Sequence, residues 1–436
     1  MIDTAVILAG GKGTRIHALF PDRPKPLIPI QGKPILIHQL ELLQRYGITT
    51  VIISLGHKAK KIQSYLEKHP VSGLIIHYEV EPAPLGTAGA IRQLRSPLPS
   101  SFLVLYGDVM INMDLNRLFH FHNAKPALAT LVVHPNDHPH DSDLLEHDDT
   151  GMITQFFPKN RPQGYYKNCV NAGAYVLSKE LLTHIPNNSH LDFGADIFPR
   201  LRSSGRLYAY STPDYLKDMG TPERFEEVST DCTSGRFEQM TSARARPAFF
   251  LDRDGTINKE VNFLSDPNDL YLLPGVAEAI HRINQSEWLA IVITNQSAVA
   301  RNKLSIAELD TIHNKLDTLL GKKKAKLDGL YYCPHHPDAG FPEENPRYKI
   351  DCTCRKPKPG LIQQATQDFH IDMSRSIMIG DAPRDIECGK AMGLMTIAVQ
   401  SGHPYPKEAT QPDYMFESLQ SGVNFVFDEF ILKGKT

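Results

Sequence analysis

Short runs of apolar residues alternate with segments of helical periodicity along the whole chain. The runs are Thr4–Leu8, Val51–Leu55, Leu74–His77 and Phe102–Leu105 in the N-terminal half, and Ala248–Leu251, Leu289–Thr294, Gly329–Tyr332, Ile377–Ile379 and Thr396–Val399 in the C-terminal half. Each run has the length of a buried strand, and strands that are separated by helices form mostly parallel sheets. The sequence therefore predicts an α/β fold in which helices cover both faces of each sheet.

The length of the chain predicts more than one domain. Its 436 residues are roughly three times the typical domain length of ~150 residues. The stretch 229–246 is polar, rich in small residues and without a clear apolar period, which is typical of a linker. We therefore expect one domain over residues 1–228, a linker over 229–246 and a second domain over 247–432.

The charge balance limits the kind of partner. Lysine and arginine number 47 and aspartate and glutamate 49, which gives a formal charge of −2. Such a chain has no overall field that would hold nucleic acid or an anionic membrane, so we expect small-molecule substrates whose phosphates are held locally. No apolar run reaches the ~18 residues of a membrane span, and the N-terminus resembles neither a signal peptide nor an anchor, so we expect a soluble cytoplasmic protein. The sequence leaves the oligomeric state open.

A glycine-rich loop follows the first predicted strand. It reads Gly10-Gly11-Lys12-Gly13-Thr14-Arg15, and Pro24-Lys25-Pro26 comes shortly after it. Glycines after a strand let backbone N–H groups approach phosphate oxygens, because no Cβ blocks the way. Lys12, Arg15 and Lys25 could neutralise a triphosphate, whereas the spacing matches neither the Rossmann fingerprint nor the P-loop. The loop therefore indicates a phosphate site of another kind.

These residues resemble the signature of the sugar-1-phosphate nucleotidylyltransferases, a family with a Rossmann-like fold. Further motifs of that family recur in order over roughly residues 1–228, namely Pro84–Gly89, Leu105–Asp108, Asn171–Tyr175 and Asp218–Glu223. The resemblance implies catalytic residues Arg15 and Lys25 and sugar-binding residues Asn171 and Gly173. It implies that Asp108 and Asp218 hold Mg²⁺. It also implies a nucleotide-binding set, which consists of Gly10, Gly11, Gly13, Thr14, Gly86 and Thr87.

The segment between the glycine loop and Lys25 resembles one branch of that family. Hexose-using members usually continue with a short Pro-Leu-Thr segment, whereas this chain has Ile16–Arg23, which is similar to the heptose 1-phosphate guanylyltransferases. The resemblance implies a heptose as the sugar and GTP as the nucleotide. We expect Glu81–Gly89 to face the nucleobase, but the residues themselves do not choose among the four bases.

Two carboxylates, Asp252 and Asp254, follow the strand that opens the C-terminal half. At one phosphoryl group, one carboxylate can attack while the other handles protons. Further polar residues follow later strands in an order that resembles the four motifs of the haloacid dehalogenase-like phosphatases, and these residues are Thr294, Lys356, Asp381 and Asp385. The resemblance covers roughly residues 247–432.

That resemblance implies a role for each motif residue. Asp252 would be the nucleophile that forms an aspartyl-phosphate, and Asp254 the acid that protonates the leaving oxygen and then activates water. Thr294 would bind the phosphoryl oxygens, and Lys356 would neutralise the nucleophile. Mg²⁺ would lie between Asp252, Asp381 and the backbone carbonyl of Asp254, with Asp385 as a support for the metal or the lysine.

Cysteines and histidines cluster between the second and third motifs. Cys333 and His335 are separated by one residue, as are Cys352 and Cys354, and a 16-residue loop joins the two pairs. Three thiolates and one imidazole suit tetrahedral Zn²⁺, whereas six cysteines in so long a chain are too few for a disulfide scaffold. The sequence therefore predicts a structural zinc site, with His336 as the alternative to His335.

Two stretches of the C-terminal half, Thr294–Arg301 and Tyr331–Pro337, resemble the heptose 1,7-bisphosphate 7-phosphatases. The combined prediction is a bifunctional enzyme of nucleotide-activated heptose synthesis. Its phosphatase would remove the 7-phosphate, and its transferase would add GMP from GTP to the heptose 1-phosphate. Two alternatives stay open: a hexose 1-phosphate transferase fused to a histidinol-phosphate phosphatase, and a phosphatase whose N-terminal domain only senses nucleotide.

Overall fold

The chain forms two compact units. The structure is a computed structural model and describes residues 2–17, 19–159, 164–187, 190–338 and 344–431. The first unit comprises Met1–His134, Ser142–Lys159 and Cys169–Thr241, and the second comprises Pro135–Asp141, Asn160–Asn168 and Ser242–Thr436. Position 432, where the second domain is predicted to end, lies outside the described residues. The predicted domain bounds stay a prediction.

The first unit contains a nine-stranded sheet and two strand pairs. Its strands are β1 (Thr4–Ala9), β2 (Pro29–Ile30), β3 (Lys33–Pro34), β4 (Thr50–Leu55), β5 (Ile75–Val80), β6 (Ser101–Tyr106), β7 (Val109–Asn112), β8 (Ala129–His134), β9 (Leu144–His147), β10 (Ile153–Phe157), β11 (Val170–Ser178), β12 (Leu207–Ser211) and β13 (Tyr215–Asp218). Strands β5, β4, β1 and β6 lie side by side and run parallel, and β11 continues the sheet antiparallel to β6. The carboxyl ends of β1 and β6 therefore lie next to each other.

Helices cover both faces of this sheet, and these helices are α1 (Ile35–Arg45), α2 (Ala59–Lys68), α3 (Gly86–Arg92), α4 (Leu115–Asn123) and α5 (Phe198–Leu201). Two further helices, α6 (Pro222–Thr233) and α7 (Arg236–Gln239), pack instead in a core with β7 and β13. Successive side chains of a strand point to opposite faces. Accordingly, Ala5 and Ile7 of β1 pack in a core with α1, α2 and α4, while Val6 packs with α3 in a core on the other face.

The first half of the predicted linker is mostly helical. Helix α6 extends to Thr233 and α7 follows at Arg236–Gln239. Cys232 and Met240 are buried in one core with Val228. The few apolar residues of this stretch are too widely spaced to show a period in the sequence, yet they anchor it to the first unit, which ends at Thr241.

The second unit is built on a six-stranded parallel sheet. Its strands are β14 (Ala248–Leu251), β15 (Leu289–Asn295), β16 (Gly329–Cys333), β17 (Ile377–Gly380), β18 (Met395–Val399) and β19 (Tyr414–Phe416). Their order is β16-β15-β14-β17-β18-β19. The chain therefore adds β15 and β16 on one side of β14, and later adds β17, β18 and β19 on the other side. Open α/β sheets bind ligands at the carboxyl ends of strands at such a switch point.

Helices cover both faces of this sheet as well. They are α8 (Val276–Asn284), α9 (Ile306–Gly321), α10 (Gly360–Asp368), α11 (Pro383–Ala391) and α12 (Leu419–Phe425). Phe249 and Leu251 of β14 pack with α8, α9 and α12, and Ala248 and Phe250 pack with α10 and α11. The predicted α/β class with mostly parallel sheets is confirmed. Among the described residues, no helix combines the length and the apolar character that crossing a membrane requires.

Candidate active sites

A cavity of about 450 Å³ opens at the carboxyl ends of β1 and β6 in the first unit. This volume lies within the usual range of small-molecule sites. The structure brings together at this cavity most of the residues predicted to bind or activate nucleotide, which are Gly10, Gly11, Gly13, Thr14, Arg15, Lys25, Gly86, Thr87 and Asp108.

The glycine loop forms one wall of this cavity. A Cβ on Gly10 would lie 2.6 Å from Oε1 of Glu81, and Gly13 has a φ of +62°, a conformation that favours glycine. A Cβ on Gly11 would meet no atom within 4 Å. The backbone of the loop is therefore open to close approach by an anion.

Asp108 and Asp218 come together from different strands. Asp108 follows β6, and Asp218 ends β13, where the antiparallel pairing with β7 sets it opposite Val109. The N–H of Met219 donates to the carbonyl of Asp108 at 2.9 Å. The two residues predicted to hold Mg²⁺ are thus neighbours in the structure.

Each of these two carboxylates has a cationic partner. Lys25 is paired with Asp108, and Nη1 of Arg224 lies 2.6 Å from Oδ2 of Asp218. Burial would raise the pKa of Asp218, but the charge and hydrogen bond of Arg224, with smaller contributions from Gly220 N–H and Lys25, hold that pKa below its usual value. Asp218 is therefore held in its ionised form, and each of the two carboxylates is paired with a cation.

Asn171 and Gly173 are not among the described residues that line the cavity. Gly173 has a φ of +72°, and a Cβ there would lie 3.0 Å from the ring of Tyr106, which does line the cavity. Oδ1 of Asn171 accepts a hydrogen bond from the N–H of Gly173 at 3.4 Å. Both residues thus lie behind Tyr106, and their role in sugar binding stays a prediction.

Four charged residues meet at the carboxyl ends of β14 and β17 in the second unit. Asp252 follows β14, and Asp381 follows the neighbouring strand β17. Nζ of Lys356 lies 2.7 Å from Oδ1 of Asp252 and 2.8 Å from Oδ1 of Asp385. All four residues are buried, and one oxygen from each of the three aspartates lies within 4.8 Å of the others.

The carboxylates of this cluster outnumber the ammonium group of Lys356. Burial and the neighbouring Asp385 raise the pKa of Asp252, and Lys356 offsets part of that rise. Burial and Asp385 likewise raise the pKa of Asp381. Burial would lower the pKa of Lys356, but Asp252 and Asp385 raise it, so the ammonium group stays charged.

The surroundings of Asp381 fit a metal ion. Among the described residues, neither of its two buried carboxylate oxygens has a hydrogen-bond partner, and Nδ1 of His403 lies 3.5 Å from Oδ2. A Cβ on Gly255 or Gly402 would lie 2.3 or 1.9 Å from Oδ2, so only glycine leaves room around this oxygen. Unsatisfied carboxylate oxygens in an all-oxygen donor set suit a hard cation such as Mg²⁺.

The carboxylate of Asp254 is held by three side chains. Nη2 of Arg253 donates to both of its oxygens at 2.8 Å, Nδ2 of Asn258 donates at 2.9 Å, and Nε2 of Gln296 donates at 2.7 Å. Burial would raise the pKa of Asp254, but Arg253 and these hydrogen bonds hold it below its usual value. Asp252 and Asp254 therefore sit in opposite electrostatic environments, as carboxylates with different tasks often do.

The end of β15 positions two further predicted residues. The hydroxyl of Thr294 is buried and accepts a hydrogen bond from Nε2 of Gln296 at 2.9 Å. The side-chain amide of Asn295 accepts from the N–H of Lys356 and donates to its carbonyl, both at 3.0 Å. Nζ of Lys356 also donates to the carbonyl of Ile293 at 2.7 Å. Strand β15 thus holds Lys356 at both its backbone and its side chain.

The predicted zinc ligands form one cluster. Sγ of Cys333 lies 3.5 Å from Sγ of Cys352 and 3.7 Å from Nδ1 of His335. Sγ of Cys354 lies 3.2 Å from Sγ of Cys352 and 3.4 Å from Nδ1 of His335. A tetrahedral zinc ion with Zn–S bonds of about 2.3 Å holds sulfur ligands roughly 3.8 Å apart, so the donor set and spacing fit Zn²⁺.

His336 is directed away from this cluster. Its Nδ1 accepts a hydrogen bond from the N–H of Asp338 at 3.1 Å, and its Nε2 lies 3.5 Å from Nη2 of Arg301. Of the two histidines that the sequence left open, the structure therefore groups His335 with the three cysteines.

Sequence reasoning missed several residues of both sites. Arg253 lies between two predicted residues, Gln296 lies two positions after Thr294, and Arg224 directly follows the motif Asp218–Glu223. The motifs themselves could therefore have drawn attention to all three. Asp192 carries no such signal, and its Oδ2 accepts a hydrogen bond from Oγ1 of Thr87 at 2.8 Å. Asp385, predicted to be a support, lies within the carboxylate cluster itself.

Comparisons with known proteins identify both units. Residues 4–235 match the model of the nucleotidyl transferase family, and residues 353–421 match that of the HAD-hydrolase-like family. The D-glycero-D-manno-heptose-1,7-bisphosphate 7-phosphatase of Thermosynechococcus vestitus is 38% identical over 190 residues, which are 42% of this chain and 95% of the relative. The D-glycero-beta-D-manno-heptose-1,7-bisphosphate 7-phosphatase of Escherichia coli K12 is 36% identical over 179 residues, which are 41% of this chain and 92% of the relative.

Among solved structures, HddC from Yersinia pseudotuberculosis is 29% identical to this chain, covers 53% of it and 100% of its own chain, and has a TM-score of 0.46. The two families that the motifs predicted are confirmed by the family models and by the curated relatives. The transferase model spans more than half of the chain, and the phosphatases are matched over more than nine tenths of their own length. The chain therefore belongs to the nucleotidyl transferase family in its N-terminal half and to the HAD-like phosphatases in its C-terminal half, and it is an enzyme with both activities.

Proposed function

We propose that the second unit hydrolyses the 7-phosphate of D-glycero-D-manno-heptose 1,7-bisphosphate. The observation that carries this proposal is the contact of Lys356 with Asp252 inside the carboxylate cluster, in a region whose curated relatives are heptose-1,7-bisphosphate 7-phosphatases. Lys356 offsets part of the rise in the pKa of Asp252 and so favours the ionised carboxylate, which is the form that attacks phosphorus.

Each residue of this site has one task in the proposed reaction. An oxygen of Asp252 attacks the phosphorus, and the bond from phosphorus to the sugar oxygen breaks. The pKa of Asp254 is held below its usual value before substrate binds, so Asp254 would first take up a proton as the phosphate approaches, and would then give it to the leaving oxygen. It would later take a proton from the water that hydrolyses the aspartyl-phosphate. Thr294 donates to the phosphoryl oxygens, and Lys356 balances their charge.

The proposal includes two metal ions in this unit. Mg²⁺ would be held by Asp252, Asp381 and the carbonyl of Asp254, and its charge would let an anionic phosphate approach the carboxylates. The oxygens of Asp381, which accept no hydrogen bond from any described residue, support this assignment. Zn²⁺ would be held by the cluster that the structure groups together, which is Cys333, His335, Cys352 and Cys354. It would organise the loop that leads into Lys356.

We propose that the first unit transfers GMP from GTP to heptose 1-phosphate with release of pyrophosphate. The sugar phosphate is already ionised and attacks the α-phosphorus without a protein nucleophile. Arg15 and Lys25, together with the glycine loop, would hold the triphosphate, and Asp108 and Asp218 would hold Mg²⁺. Glu81 lines the cavity, where its carboxylate could accept a hydrogen bond from the exocyclic amino group of a nucleobase. Guanine, adenine and cytosine all carry such a group, so the choice of GTP rests on the resemblance of Ile16–Arg23 to the heptose 1-phosphate guanylyltransferases.

The phosphatase would act before the transferase. The transferase uses the anomeric phosphate as its nucleophile, so a phosphatase that removed this group would destroy the substrate. The primary 7-phosphate lies on an exocyclic carbon and can reach Asp252, whereas the 1-phosphate is attached directly to the ring. We propose that the segment Asn258–Leu273 and the loop that carries the cysteine cluster contact the ring. These contacts would disfavour the reversed pose, in which the 1-phosphate lies at Asp252.

Substrate panels for the two activities test this proposal. Purified enzyme is assayed for phosphate release from heptose 1,7-bisphosphate and from histidinol phosphate. It is then assayed for pyrophosphate release from each of the four NTPs with heptose 1-phosphate and with a hexose 1-phosphate. The proposal expects the heptose substrates and GTP to be preferred. Faster turnover of histidinol phosphate, or of a hexose 1-phosphate with another NTP, would contradict it.

A further inference from the structure

In the first unit, both carboxylates that are proposed to bind metal are already occupied by protein cations. Nη1 of Arg224 lies 2.6 Å from Oδ2 of Asp218, and Lys25 is paired with Asp108. Oδ1 of Asp218 accepts a hydrogen bond from the N–H of Gly220 at 2.9 Å. A metal ion could bind these oxygens only if the cations moved away.

A third cation lies at the same corner. A Cβ on Gly220 would lie 2.7 Å from Oδ1 of Asp218 and 3.2 Å from Nη2 of Arg15, so this guanidinium lies close to Asp218 as well. Arg15, Lys25 and Arg224 thus face the carboxylates of Asp108 and Asp218. Among the described residues, these three cations outnumber the two carboxylates of Asp108 and Asp218, while the carboxylates of Glu81 and Asp192 line the cavity elsewhere. Such a site disfavours a free divalent cation and favours a polyanion.

The carboxylate cluster of the second unit has the opposite balance of charge. Its three clustered aspartates, Asp252, Asp381 and Asp385, face Lys356 and the more exposed Arg384. In the part of the chain that the structure describes, neither oxygen of Asp381 has a hydrogen-bond partner, although Nδ1 of His403 lies 3.5 Å from Oδ2. Negative charge therefore exceeds positive charge in this cluster, which favours a divalent cation even when no substrate is bound.

We infer that Arg224 is a positioning residue that couples metal binding to nucleotide binding in the transferase site. This inference rests on the proposed metal-binding role of Asp108 and Asp218. While the site holds no nucleotide, Arg224 and Lys25 occupy the two carboxylates and exclude the metal ion. When a triphosphate enters, its oxygens attract the cations, and the carboxylates become free to bind the metal. By linkage, the metal ion and the nucleotide then strengthen each other's binding.

Equilibrium dialysis of the full-length enzyme with Mn²⁺ tests this coupling. The Mn²⁺ retained per chain is counted without nucleotide and with α,β-methylene-GTP, whose bond between the α- and β-phosphates cannot be cleaved. We expect wild-type enzyme to retain one Mn²⁺ without the analogue and a second one with it. Asp381→Asn should remove the first Mn²⁺ and leave the second.

Three variants assign the effect to Arg224. Arg224→Gln should bind the second Mn²⁺ without nucleotide, with an affinity raised roughly tenfold or more, comparable to the effect of a nearby cation on the proton affinity of a carboxylate. Arg224→Lys keeps the charge and should restore the wild-type behaviour. Arg206→Gln is the matched control, because Arg206 makes two hydrogen bonds to Glu180 at 2.7 and 2.8 Å on an exposed surface, and it should not change Mn²⁺ retention.

Three other outcomes would contradict the inference or the proposed metal-binding role on which it rests. Retention of two Mn²⁺ by the wild type without nucleotide overturns the inference, and this count needs no variant to fold. Equal retention by folded Arg224→Gln and Arg206→Gln also overturns it. If the wild type retains only one Mn²⁺ with the analogue present, Asp108 and Asp218 do not form a metal site. The proposed metal-binding role then fails, and the inference fails with it.

Discussion

Nζ of Lys356 lies 2.7 Å from Oδ1 of Asp252, although 104 positions separate the two residues along the chain. Lys356 follows Cys354 by two positions, so the cysteine cluster immediately precedes it in the chain. The side-chain amide of Asn295 then fixes its backbone with two hydrogen bonds of 3.0 Å. The end of β15 thus holds the lysine at the nucleophile, and we expect its position to depend on the cysteine cluster as well.

Cys352→Ser should destabilise the phosphatase unit and spare the transferase. The change removes one thiolate from the proposed zinc site, whose binding free energy contributes to folding. We expect the phosphatase transition in calorimetry to fall by roughly 10 °C or more, since ~1 kcal/mol shifts Tm by about 2–4 °C for a unit of this size. Elemental analysis of protein prepared under reducing conditions should show one zinc per wild-type chain. Absence of zinc from such preparations would refute the assignment.

His335→Ala and His336→Ala should behave differently. Nδ1 of His335 lies 3.4 Å from Sγ of Cys354, whereas Nδ1 of His336 accepts a hydrogen bond from the N–H of Asp338. We therefore expect His335→Ala to lose zinc, and we expect the Tm of its phosphatase unit to fall as a consequence. His336→Ala serves as the matched control and should retain zinc. The reverse result, measured by elemental analysis, would make His336 the ligand.

Asp252→Asn should abolish the phosphatase and leave the transferase within a few-fold of wild type. The amide cannot attack phosphorus, so phosphate release should fall by at least about 10³-fold, as for other catalytic nucleophiles. Pyrophosphate release with heptose 1-phosphate and GTP measures the second activity. Asp428→Asn, a change at an exposed carboxylate paired with Arg282, controls for loss of one charge. Collapse of both activities in a folded Asp252→Asn protein would mean that the two sites are not separate.

Arg253→Met should lower kcat of the phosphatase with little change in KM. Arg253 holds both oxygens of Asp254 at 2.8 Å and does not itself have to contact substrate. Loss of this orientation should cost roughly 10–100-fold in kcat. Arg253→Lys should recover part of the loss because it keeps a donor, and Arg282→Met on the surface should have no effect. An increase in KM at unchanged kcat would instead place Arg253 in substrate binding.

Much of the fold is predictable because its central strands are buried apolar runs. The predicted strand Ala248–Leu251 matches β14, and the prediction for β1 ends one residue early. Strand β11 was not predicted. It contains Asn171 and Gly173, residue types that are rare in strand interiors, and it forms only because β6 and β8 pair with it on both sides.

The sequence also predicts which residues form the sites, but it does not predict which of them form ion pairs with one another. Motif spacing singles out Lys25, Asp108 and Asp252, because each follows a strand or a glycine loop at a recognisable position. The ion pair of Arg224 with Asp218 joins a helix to a strand, and nothing in the local pattern requires it. Such contacts depend on tertiary packing, so only the structure reveals that cations occupy the transferase carboxylates.

Phosphorus NMR of heptose 1,7-bisphosphate with the wild-type enzyme tests whether the two activities act in the proposed order. The reaction is followed first without nucleotide and then after addition of GTP. We predict that the 7-phosphate signal disappears while the anomeric signal persists, and that GTP then converts the anomeric signal into a nucleotide–sugar diphosphate with release of pyrophosphate. Preferential loss of the anomeric signal in the first stage, or no turnover of the bisphosphate, would contradict the proposed function.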